Sequence, residues 1–195
     1  MQTTTRRALL VAAATLSGGT VAAATLWRKP APELFTLVDA EVRPASVAGL
    51  VPASPSAPPA PAVFLNGDGD ERRIADFAGQ GLVLNLWATW CVPCVVELPQ
   101  LEAAARALKA DRIQVLPLSS DRGGAPVVRR FFAAHDIQGL GVWLDPKGSA
   151  ARAWGARGLP TTLIIDRQGR EVARLEGPYG WANPAVLAEL RRLVG

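Results

Sequence analysis

Histidine, methionine and cysteine are almost absent: the 195 residues hold one His, one Met and two Cys. A zinc site within one chain needs four ligands, and beyond Cys91 and Cys94 the soft donors are His135 and the initiator Met1, so no metal is expected. A copper-holding module built on the two thiolates would want Met or His support that is missing here. Charge is sparse as well, at 19% of residues, and the net +4 comes mostly from arginines spread along the chain. With no basic run interleaved with aromatics, nucleic acid is not an expected partner. No internal repeat is visible.

What is present is apolar, at 49% of residues, enough for a sizeable core in one domain plus appendages. Thr5-Arg6-Arg7-Ala8 leads into a charge-free stretch over residues 8–27, closed by Trp27-Arg28-Lys29. Its length would span a ~30 Å hydrocarbon core, and residues 1–29 read as a membrane anchor or an export signal. The pattern resembles a twin-arginine signal, although Val11 stands where that pattern usually has Lys. The small residues Ala22-Ala23-Ala24 leave cleavage open. Prolines at 30, 32, 44, 52, 55, 58, 59 and 61 make residues 30–61 an extended, semi-rigid spacer. The domain is expected over residues 62–195.

Both cysteines fall in residues 82–99, LVLNLWATWCVPCVVELP. The first half is an apolar run that reads as a buried strand. The second half begins a helix, with Pro93 tolerated in the first turn. Three-residue spacing puts Cys91 and Cys94 on one helix face with Cβ atoms roughly 5–6 Å apart, within reach of a disulfide after small adjustment. So short a loop removes little unfolded-chain entropy, which suits a bond that is made and broken rather than a staple. At the helix mouth, unpaired N–H groups and the dipole favour the thiolate of Cys91. Cys94, one turn deeper, is the resolving partner. Trp90, beside the nucleophile, is expected to contact partners. Trp87, at the strand end, is expected in the core.

The segment Trp87-Ala-Thr-Trp-Cys-Val-Pro-Cys94 resembles the active site of the thioredoxin superfamily. The continuation to Glu97 and Pro99 resembles its membrane-tethered TlpA/ResA branch, and Gly158-Leu159-Pro160-Thr161 resembles the superfamily's cis-proline loop. Asn85 stands where cytoplasmic thioredoxins have a buried Asp, a departure that the TlpA/ResA branch shares. The resemblance implies an α/β thioredoxin-like fold, a central mixed sheet flanked by helices, with an N-terminal β-hairpin extension. It implies Cys91, Cys94, Glu97 and Pro160 as catalytic residues, Glu97 being a partly buried carboxylate that manages the Cys94 proton. Trp90, Val92, Pro93 and Leu159 would meet the partner, Leu159 through main-chain hydrogen bonds.

The activity implied is thiol–disulfide exchange on the periplasmic side of the inner membrane, tethered there or soluble after cleavage. Reduction is the expected direction. The partners would be apocytochrome c or a copper-site assembly protein, with electrons from a membrane thiol–disulfide donor, no organic cofactor, and a monomeric chain. A disulfide-forming oxidase and a copper chaperone are the alternatives. A thioredoxin-like peroxidase would need Thr where Ala88 stands.

The remaining pattern predicts a hairpin over residues 63–74, a helix from Cys91 to Ala110 kinked at Pro99, and a strand over residues 113–118. Pro117 conflicts with a central strand and predicts a bulge or an early end. A helix over residues 125–135 ends at an exposed His135. A short strand over residues 142–144 and a short helix over residues 149–154 follow. A hairpin over residues 161–176 precedes a last helix capped by Asn183.

Overall fold

The computed structural model describes residues 49–195. The expected anchor or signal (1–29) and the spacer up to residue 48, with a possible short element around residues 33–42, lie outside the described residues.

Strand β4 (Gly81–Trp87) sits at the centre, every residue of it buried. A strand covered on both faces reads as a continuous apolar run rather than an alternating one, which is the pattern of residues 81–87. Leu82, Leu84 and Leu86 enter one core with Phe64, Phe77, Leu116, Ala150, Trp154 and Leu163. Val83 and Trp87 enter the other, against Leu98, Leu101, Val128, Phe132, Val186 and Leu190. By the same alternation Asn85 lies on the second face.

The other elements are β1 (Val51–Ala57), β2 (Phe64–Asn66), β3 (Glu71–Arg72), α1 (Val92–Leu108), β5 (Ile113–Ser119), α2 (Gly124–Ala134), β6 (Trp143–Leu144), α3 (Ser149–Ala153), β7 (Thr161–Ile165), β8 (Glu171–Glu176) and α4 (Pro184–Val194). The sheet runs β1-β8-β7-β4-β5-β6-β2-β3. It is mixed: β4 pairs parallel with β5 and antiparallel with β7. The expected hairpin is β2–β3, turned by Asn66, whose Oδ1 accepts from the N–H groups of Asp68 and Asp70.

Two features depart from the sequence reading. The segment 51–57 is an edge strand antiparallel to β8 with an irregular register, so the extended conformation expected of the Pro/Ala-rich spacer is used, at its end, to lengthen the sheet. An edge is where proline is tolerated in a strand. Helix α1 runs on through Pro99 to Leu108, as expected. Strand β5 also runs through Pro117 without the expected bulge or early stop, in unbroken register with β4.

The backbone explains this. Ser120 N–H donates to Trp87 and Ser119 C=O accepts from Asp145 N–H, so odd-numbered residues of β5 turn their backbone groups toward β6. Pairing with β6 begins only at Leu118 and Trp143. The donor that Pro117 lacks would have pointed beyond the end of that strand.

Helix α4 closes over the start of β4. A Cβ on Gly81 would overlap the methyls of Val194, and both residues are buried. Gly81→Ala is expected to destabilise the protein by about 1–3 kcal/mol in urea unfolding, and by less in a Val194→Ala background.

Candidate active site

The chain leaves β4 at Trp87 and turns through Ala88, Thr89 and Trp90, with Cys91 N–H donating to Ala88 C=O at 3.1 Å. A carboxylate from the end of the neighbouring strand holds this turn. Asp121 accepts from Thr89 N–H at 2.9 Å and Thr89 Oγ1 at 2.7 Å, and from Ser119 Oγ at 2.8 Å. Cys91 is thereby set as the N-cap of α1, with extended backbone and Pro93 in the first turn. The first N–H groups of a helix have no internal partner, and its dipole is positive at this end. Sulfur at this position is in a field that favours the thiolate.

Cys91 and Cys94 form a disulfide with Cα atoms 5.3 Å apart. Cys91 keeps 6% of its surface exposed and Cys94 none, the ordering expected of an attacking and a resolving sulfur. Trp90 and Val92 are strongly exposed, at 69% and 74%, and Val96 is exposed beside them. Pro93 is exposed too. Trp87 is fully buried and stacks on Phe132 at 5.6 Å, as a core residue should. Leu159 is partly buried against the cluster that contains both cysteines. The Leu159–Pro160 bond is cis, Pro160 is buried, and its carbonyl accepts from Gly177 N–H at 2.9 Å.

Glu97, one turn below Cys94, is fully buried, more so than the partly buried carboxylate expected. Its Oε1 accepts from Asn85 Nδ2 at 2.7 Å. Its Oε2 accepts from Tyr179 N–H at 3.1 Å and from Trp181 Nε1 at 3.0 Å. Asn85 Nδ2 also meets Thr162 Oγ1 at 3.0 Å. Burial disfavours the charged carboxyl and outweighs the three hydrogen bonds, raising its pKa from 4.5 to about 7. The group is therefore poised to gain or lose a proton near neutrality, which is what a proton acceptor for a thiol requires.

Of the residues expected at the site, the structure places Cys91, Cys94 and Glu97 at the start of one helix and Pro160 after a cis bond, and it adds the groups that hold them. Asn85 was noted only as a departure from a pattern, yet a lone amide in an apolar strand is a usable signal, because a buried amide needs partners. Thr162, Tyr179 and Trp181 carry no local signal. Tyr179 and Trp181 reach Glu97 from 82 and 84 positions away in sequence, and Thr162 reaches Asn85 from 77, each brought there by the fold. His135 is exposed at the end of α2 against Phe131, as expected of a surface cap.

A family model described as the AhpC/TSA family matches residues 56–172. The chain is 29% identical over 110 residues to thiol-disulfide oxidoreductase ResA of Bacillus thuringiensis subsp. konkukian, covering 56% of this chain and 62% of that one. It is 32% identical over 122 residues to thiol:disulfide interchange protein HelX of Rhodobacter capsulatus, covering 61% and 66%. The match thus spans less than two thirds of these relatives' own lengths. Among solved structures, StoA from Bacillus subtilis aligns at a TM-score of 0.54 and 26% identity, over 71% of this chain and all of that one. The α/β architecture around the disulfide is the thioredoxin-like fold. By the extent of the family match, the chain belongs to the AhpC/TSA family.

Proposed function

We propose that the protein is an extracytoplasmic thiol–disulfide oxidoreductase that reduces particular cysteine pairs in partner proteins. The observation that carries this reading is the pairing of Cys91, at the mouth of α1, with a shielded Cys94 above a buried carboxylate. The Cys91 thiolate attacks a partner disulfide, forming a mixed disulfide and releasing one partner sulfur as thiolate. Cys94 then gives its proton to Glu97 and attacks Cys91. The mixed bond breaks, the second partner sulfur leaves, and the Cys91–Cys94 bond forms. Two electrons have passed to the partner, carried by the dithiol itself.

The face around Cys91 suits such an encounter. Trp90, Val92 and Pro93 are exposed and uncharged, and the Leu159 backbone precedes the cis bond of the adjoining loop. The relatives are named for thiol–disulfide oxidoreduction and interchange, which supports the chemistry. Apocytochrome c or a copper-site assembly protein as partner, a membrane-bound thiol–disulfide electron donor, a monomeric chain and a periplasmic membrane tether through residues 1–29 complete the proposal. No helix among the described residues is long and apolar enough to cross a membrane.

The direction is read from the reduction potential of Cys91–Cys94 equilibrated with glutathione. A reductant is expected at or below about −200 mV, and a value near ~−120 mV, the range of a strong oxidant, would contradict it.

Glu97 ties the chemistry to stability. Its carboxyl takes up protons near pH 7 when folded and near 4.5 when unfolded. Between those values the folded state holds a proton that the unfolded state has lost, so stability is full below pH 4.5 and falls as pH rises through 7. The loss is about 3 kcal/mol. Unfolding of the oxidised protein followed from pH 4.5 to 8 is expected to show this decline in wild type and not in Glu97→Gln. The same variant is expected to slow thiol exchange and to flatten its pH dependence near neutrality. An unchanged pH–rate profile would return Glu97 to a structural role.

A further inference from the structure

Residues 177–181, Gly-Pro-Tyr-Gly-Trp, join β8 to α4 and form a strap across the buried end of the site. We propose that this strap is a positioning element of the thiol chemistry: the Trp181 indole N–H and the Tyr179 backbone N–H together occupy Oε2 of Glu97 and direct the proton from Cys94 onto Oε1. This rests on the reading of Glu97 as the proton acceptor and says how that acceptor is held.

An ionised carboxylate oxygen offers about two acceptor positions. Oε2 receives two donors, at 3.1 and 3.0 Å, and is filled. Oε1 receives one, from Asn85 at 2.7 Å, and keeps a position for the incoming proton. The strap is itself fixed at several points. Gly177 adopts φ +96°, a left-handed conformation suited to glycine, and its N–H donates to Pro160 C=O at 2.9 Å. Trp181 N–H donates to Tyr179 C=O at 3.1 Å, and the two rings pack edge-on at 5.2 Å. Both residues are fully buried. The loop that would receive the partner and the carboxyl that would receive the proton are thus fastened to one short segment.

Charges from elsewhere do not compete for this role. The helix of Glu97 carries Cys94, Glu102 and Arg106 and is capped by Cys91, and the strap brings Tyr179. Strands β4 and β7 bring Asn85, Thr161 and Thr162. On that helix Glu102 pairs with Arg106, and in the neighbouring segments Glu171 pairs with Arg174, Glu176 with Arg157, Glu189 with Arg192, Asp111 with Arg191, and Asp166 with Arg170.

Removing a donor from a carboxylate disfavours its charged form by an amount worth about one pH unit or more. In Trp181→Phe, the Glu97 carboxyl 13C titration of the oxidised protein is expected to move up by about one unit. The midpoint of the resolving step's pH–rate profile is expected to move with it, leaving exchange several-fold slower at pH 7 and near wild type at pH 9. Adding Trp181→Phe to Glu97→Gln is expected to shift nothing further. In wild type the Trp181 indole 15N–1H resonance is expected to titrate with Glu97, a readout that needs no variant at Trp181. A flat indole resonance through the Glu97 titration, or an unmoved carboxyl midpoint in Trp181→Phe, would overturn the strap's role. An unaltered profile in Glu97→Gln alone defeats the proton-acceptor reading and this role with it. A shifted profile in Glu97→Gln beside an unmoved one in Trp181→Phe defeats the strap alone.

Discussion

A carboxylate removed from water has to be met by donors or give up its charge, and the architecture on one face of the sheet is arranged around that constraint at Glu97. Asn85 comes from the central strand, Thr162 braces Asn85 from the next, and the connection after β8 brings Tyr179 and Trp181. Three separate parts of the chain must be in place before α1 can bury this residue. The three donors do not fully offset the desolvation, and the carboxyl rests between its two states near neutrality. A salt bridge at the same place would have fixed the charge and removed the response.

The disulfide depends on a second, separate support. Asp121 binds Thr89 through backbone and side chain, so the turn that delivers Cys91 to the helix mouth is tied to the end of β5 rather than left as a free loop. The outer sulfur is held from one side and the inner one sits above the buried carboxyl. Trp90 and Val92 stand clear of both supports and face solvent. Rigid backing and an uncovered apolar rim are what a site for a protein partner needs, since the partner contributes the remaining cover.

How much of this could be read beforehand differs by range of interaction. The cysteine pair, the buried strand before it, the two hairpins and the Asn183 cap rest on local patterns, and the structure reproduces them. Trp181 and Tyr179 were invisible because nothing near them in sequence distinguishes a strap residue from a core aromatic. The edge strand over 51–57 was hidden by its prolines, which mark a spacer and a tolerated sheet edge equally well. Pro117 misled for a related reason: proline forbids a donor, but whether a donor is needed depends on where the neighbouring strand ends, and β6 is too short to ask for one.

The account turns on which sulfur is the reactive one. Alkylation of the reduced native protein, followed by mass spectrometry as pH is raised, reads this directly. Cys91 should be labelled first, with a midpoint below the ~8.5 of a free cysteine, while Cys94 stays protected. Faster labelling of Cys94, or protection of both sulfurs in the folded protein, would contradict it.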